Sequence, residues 1–169
     1  RIRRDKSAKT NYDTEAGGAR YITSTGGAIT GRHAHVIIND DPQNPKQSES
    51  EPLREQADTH TKTLASRKVD KKITVTVTVM QRLNSKDVSG TLLGKNTGKL
   101  KHIKLPANIT EKNKPFPLYL EEFYVDNLLD PVRLGWPEIE EAKADLGTRQ
   151  FAGQFGQMPT VEDGDIIRA

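Results

Sequence analysis

Gly26-Gly27-Ala28-Ile29-Thr30-Gly31-Arg32-His33-Ala34-His35-Val36-Ile37-Ile38-Asn39-Asp40-Asp41-Pro42 is the stretch on which the reading of this chain turns. A Gly-rich loop carrying Arg32 leads into a short apolar run, and the run ends in two adjacent carboxylates and a proline. Val36, Ile37 and Ile38 are β-branched and uncharged, which predicts a strand buried on both faces of a parallel sheet. Pro42 stops the ladder, because it has no N–H to donate and holds Asp41 in an extended or turn conformation. Ligands of such sheets gather beyond the carboxyl ends of the strands. Asp40 and Asp41 therefore stand where a ligand is expected.

Two carboxylates at that end suit a nucleotide site. The first would hold Mg²⁺, directly or through water, and the second would polarise the water that attacks a terminal phosphate. Apolar strand, Asp, then an acidic base is the logic of a Walker B element. The bland reading of the same residues is a strand leading into a capped turn.

Working outward, residues 1–18 are basic and then Gly-rich and read as a loop or frayed edge. Ala19 to Thr25 is β-prone and predicts a strand. Downstream, a polar connection over residues 43–52 leads to a helix capped by Ser48 or Ser50, with Pro52 in its first turn. Leu53, Ala57, Thr61 and Leu64 form its thin apolar stripe. Ile73 to Met80 is the clearest strand, β-branched at every position but the last. It runs into Gln81-Arg82-Leu83, a second pair of polar groups at a strand terminus. Asn84 or Ser85 is expected to cap a short helix bearing Val88, Leu92 and Leu93. Leu100 to Leu105 predicts another strand, closed by Pro106, and Leu118 to Leu129 a strand or short helix. Pro137 opens a helix through Ile139, Ala142 and Leu146 that stops at Gly147. Thr148 caps a further helix carrying Phe151, Phe155 and Met158. Alternating strands and helices imply an α/β fold with a parallel sheet.

Composition narrows the chemistry. The 169 residues are 33% hydrophobic and 29% charged with a net charge of +3, which permits contact with a polyanion without requiring it. With no cysteine, disulfide scaffolds, thiolate metal sites and Cys nucleophiles are excluded. No apolar run approaches membrane-spanning length.

Taken together and in order, these blocks resemble a family. Gly26-Gly27-x-x-Thr30-Gly31-Arg32, Asp40-Asp41-Pro42, Met80-Gln81-Arg82-Leu83 with Asp87, and Gly90-x-Leu92-Leu93 look like the large terminase subunit of tailed double-stranded DNA bacteriophages. Leu134-Gly135-Trp136-Pro137-Glu138, Leu146-Gly147-Thr148-Arg149-x-Phe151-Ala152 and Gln154-Phe155-x-Gln157-x-Pro159 continue the match. The resemblance implies an ATP-driven motor that translocates viral DNA into a procapsid, the full protein also cutting DNA. It implies an α/β, partial P-loop NTPase fold: a mainly parallel sheet flanked by helices, lacking the P-loop strand. Residues 1–18 would be an N-terminal edge, 19–134 the C-terminal part of the ATPase core, and 135–169 a helical segment and linker toward a nuclease domain.

By the same resemblance, Asp40 is the metal-binding aspartate and Asp41 the catalytic acid. Gln81 and Arg82 touch the nucleotide and couple hydrolysis to movement, and Arg32 acts on a phosphate in its own or a neighbouring site. The implied cofactors are ATP and Mg²⁺. The implied partners are double-stranded DNA, the portal protein, the small terminase subunit and further copies in a ring. The place is the host cytoplasm at the procapsid portal vertex, with no membrane. The phosphate cradle G-x-x-x-x-G-K-[ST] has no match here. In the family it lies upstream, so the chain reads as an ATPase piece cut at both ends. The missing cradle supports an alternative, a non-catalytic remnant that acts in binding or assembly only.

Other features have plainer readings. His33-x-His35 lacks a third ligand. The basic clusters 1–6, 67–72 and 95–104 suit DNA phosphates or simply water. Trp136, Phe151 and Phe155 suit packing better than base stacking.

Overall fold

A computed structural model describes residues 1–8, 10–95 and 98–160, with backbone alone at 4, 6 and 7. The expected acidic tail beyond residue 160 lies outside the described residues. The elements are β1 (Ile2–Ser7), β2 (Asn11–Thr14), β3 (Ala19–Tyr21), β4 (Val36–Asp40), α1 (Pro45–Glu49), α2 (Glu51–Leu64), β5 (Val75–Val79), α3 (Val88–Gly94) and α4 (Trp136–Gln154). Single 3₁₀ segments lie at Ala65–Arg67 and Leu118–Phe123.

The architecture is mixed α/β, but the sheet is not mainly parallel. Three strands form an antiparallel meander in the order β1-β2-β3, and only β4 and β5 pair in parallel. Residues 1–18, expected as a loop, supply two strands of the meander. Thr14 closes their connection to β3: its N–H donates to the Gly18 carbonyl at 2.7 Å and its Oγ1 accepts from the Gly18 N–H at 2.9 Å. Gly17 supplies the positive φ of 84° that this turn needs. β3 stops at Tyr21 rather than Thr25, because Ser24 accepts from the Gly27 N–H at 2.8 Å and folds the chain over.

Further on, α2 takes the expected place, with Arg54, Ala57, Thr61 and Leu64 buried. Asn39 of β4 donates from Nδ2 to Thr61 Oγ1 at 3.2 Å, so α2 covers the Ile37/Asn39 face of the parallel pair. The other face is open: Val36 is 58% and Ile38 69% exposed, so the strand is not buried on both sides as its composition predicts. Leu100 to Leu105 is no strand. It makes a single bridge, Lys104 to Phe116, and its lysines leave it facing water.

The main apolar cluster sits elsewhere. Ala107, Leu128 and Ile139 are buried against Leu134, Phe151 and Phe155, and the two Phe rings stack 5.1 Å apart. α4 breaks at Gly147 (φ 74°, ψ 165°), where the sequence places a helix end. The accessible surface is 12,379 Å², against about 8,300 Å² for a folded monomer of this mass. Among the described residues no helix is long and apolar enough to cross a membrane.

Candidate functional site

β4 and β5 run side by side in register, Val36 against Val75, Ile38 against Val77 and Asp40 against Val79. The ladder continues one residue further, where the Asp41 N–H donates to the Val79 carbonyl at 2.8 Å. The two strand ends therefore share one rim, with Asp40 and Asp41 on one side and Gln81 two residues beyond Val79 on the other. Asp41 turns the chain with φ of 41°, a left-handed conformation that a short polar side chain tolerates better than most. Asp40 and Asp41 are exposed, and their carboxylates take no hydrogen bond or ion pair from any described residue.

The second strand end is built differently. Arg82 points away from the rim toward Asp87. Its Nε lies 3.1 and 3.0 Å from the two Asp87 carboxylate oxygens. Asp87 is fully buried and also accepts from the backbone N–H of Leu83 at 3.0 Å, Asn84 at 3.3 Å and Gly90 at 2.7 Å. It, and not Asn84 or Ser85, is the N-cap of α3. Gly90 has to be glycine, since a Cβ there would stand 2.0 Å from the Ser85 carbonyl oxygen. Gln43, just past β4, is 3% exposed; its Oε1 accepts from the Val88 N–H at 3.0 Å, while its Nε2 finds no partner.

The turn after β5 is gripped from its other side by α4. Gln157 Oε1 accepts from the Arg82 N–H at 3.2 Å, and a Cβ on Gly153 would lie 2.7 Å from the Arg82 carbonyl oxygen. Gln81 stays exposed and borders a cleft of about 210 Å³ floored by Leu105, Ala107, Leu129, Leu134 and Phe155.

Arg32 does not reach the rim. Its guanidinium lies 4.2 Å over the Tyr21 ring, a cation–π contact that holds the loop against the meander. The loop is tied down twice more. The Gly26 N–H donates to His60 Nδ1 at 3.2 Å and Thr25 Oγ1 donates to the Pro42 carbonyl at 3.2 Å.

So the fold brings together Asp40, Asp41 and Gln81 from the expected set, and it engages Arg32 and Arg82 elsewhere. The residues that sequence reasoning left without a role are Asp87, Gln43 and Gly153. For Asp87 a signal exists: an acid immediately before Val88-Ser-Gly is an N-cap pattern. His102 stacks on Phe116 at 5.5 Å, and burial first, then the charges of Arg82 and Lys104, hold its pKa below the usual imidazole value. Tyr124 donates to the Pro106 carbonyl at 2.7 Å, and burial pushes its hydroxyl up to about 12. Among the described residues no three His, Asp or Glu side chains converge on a metal position, so His33 and His35 remain a pair without a third ligand.

What this arrangement offers chemically is two unengaged carboxylates beside an amide at the carboxyl rim of a parallel pair. Compared with known proteins, the sequence matches no family model and no curated protein.

Proposed function

We propose that this chain is part of an ATP-driven motor that packages double-stranded DNA, with the β4/β5 rim as its hydrolytic edge. One observation carries the reading: Asp40, Asp41 and Gln81 lie at adjacent carboxyl ends of two in-register parallel strands, with both carboxylates left free by the fold. Magnesium binds through one or two carboxylates while keeping several waters, so a pair of unengaged oxygens fits it without a third protein ligand. Asp40 would take the hydrated ion. Asp41 would accept a proton from water, and Gln81 would respond to the state of the bound phosphate. Mg²⁺ supplies charge neutralisation at phosphate oxygens. Residues 1–169 hold no glycine cradle for those phosphates, so we derive no step through the nucleotide itself. The portal protein, the small subunit, a ring of copies and the procapsid vertex belong to the same proposal and rest on the sequence resemblance.

The test is ATP turnover by the intact protein with Asp41→Asn. We expect a loss of about 100-fold or more, the scale of a general base, with the urea midpoint unchanged. Unchanged turnover would remove Asp41 from the chemistry.

A second reading is a non-catalytic relative that acts in binding or assembly. The observation favouring it is that both arginines expected at phosphate are engaged within the chain, Arg82 with Asp87 and Arg32 with Tyr21. Absence of any ATP turnover in the intact protein would favour it.

A further inference from the structure

The parallel pair has two faces of opposite character. The face under α2 carries Ile37, Asn39, Thr74 and Thr78, and it is the more polar. The open face carries Val36, Ile38, Ile73, Val75, Val77 and Val79, all exposed, with Asp40 at its carboxyl end. Parallel sheets are ordinarily covered on both sides, and here no described element lies on the aliphatic side.

We infer that this open face is a self-association surface, on which two copies stack their β4/β5 pairs face to face about a twofold axis. Two observations select a second copy. The first is area. The six side chains offer roughly 600 Å², the upper end of a monomer's largest apolar patch, and two such patches bury the roughly 1,200 Å² at which specific interfaces begin.

The second is charge. Asp40 and Asp41 mark the carboxyl end of the pair, while Lys71 and Lys72, exposed and without ion-pair partners among the described residues, mark the end where β5 begins. A twofold axis across the strands sets the acidic end of each copy against the basic end of the other. An axis along the strands would set like charge on like charge. The symmetry of the surface therefore specifies antiparallel stacking, with the same patch contributed by both partners. Aligned sheet packing of this kind leaves the side chains of both inner faces interdigitated over about 10 Å.

This inference is independent of ATP chemistry, and its test reads mass alone. Sedimentation equilibrium of the 169-residue chain is expected to show a monomer–dimer equilibrium. Val77→Lys, at an exposed position where the monomer fold is unaffected, should raise the dissociation constant at least tenfold. Lys71→Glu/Lys72→Glu and Asp40→Lys/Asp41→Lys should each weaken self-association, and a mixture of the two should recover it as a heterodimer. A monomer at 100-fold above the concentration used for folding assays, a dimer indifferent to Val77→Lys, or failure of the mixed charge reversals to recover association would each overturn the inference.

Discussion

The two strand ends at the rim hold carboxylates used in opposite ways. At the end of β4, Asp40 and Asp41 are exposed and the fold asks nothing of their side chains. Past the end of β5, Asp87 is fully buried and accepts from three backbone N–H groups and from Arg82. A buried charge is tolerated only when it is fully paired and hydrogen-bonded, so Asp87 is spent on architecture. The contrast separates acids that organise the turn from acids left available to a ligand, a distinction invisible in residue type.

The comparison breaks most visibly at Asp87. Removing it in Asp87→Ala leaves the Arg82 guanidinium, 16% exposed, without its partner, and strips the cap from α3. We expect a loss of about 3–5 kcal/mol, a large share of the 5–15 kcal/mol that typically holds a domain together. Asp40→Asn in the same urea titration should shift stability by less than about 0.5 kcal/mol, as surface changes do. Equal losses for the two would erase the distinction.

A smaller effect sharpens it through pH. His60 lies on α2, and its Nδ1 accepts the Gly26 N–H that pins the Arg32 loop. Burial holds its pKa below 6.5, so the folded state favours the neutral ring. The unfolded chain then binds the proton more readily. This contribution is present above pH 6.5 and is lost as pH falls through the lower folded value. Protonation at Nδ1 also cancels the hydrogen bond itself, a net effect of about 1 kcal/mol. Amide exchange at Gly26, corrected for its intrinsic rate, should lose about fivefold in protection between pH 7.5 and 5.5. The Leu83 amide, held by Asp87, should keep its protection over the same range.

The periodic parts of the fold were legible in the sequence, and the parts set by tertiary contacts were not. Ile73 to Met80 and Val36 to Ile38 announced their strands by β-branching, and Gly147 announced the break in α4, because those signals are local. The meander was missed because Ile2 to Ser7 alternates charge with little apolar content, and its pairing comes from a turn closed by Thr14 and Gly18. The place of Asp40 and Asp41 at a strand end followed from Pro42. Where Arg32 and Arg82 point did not, since nothing local says that Tyr21 or Asp87 will meet them first. The alternation of Thr and Val along β5 gave the period but not the side: the threonines turn inward, Thr74 to the Ala34 carbonyl at 3.4 Å, and the valines turn out.

That inversion sets the last and smallest effect. In most sheets a Val-to-Thr exchange on the apolar face costs stability, because a hydroxyl replaces a methyl in packed surroundings. On β5 the apolar face meets water, so Val77→Thr should change the stability of the monomer by less than about 0.5 kcal/mol. The same exchange made at Ile37, on the face under α2, removes buried carbons and inserts a hydroxyl, and should cost about 2 kcal/mol or more. Urea midpoints measured at low protein concentration give the comparison directly. If the Val77→Thr penalty grows with protein concentration while the Ile37→Thr penalty stays constant, the valine face is stabilised by association rather than by the fold, since only a bound partner makes stability concentration-dependent.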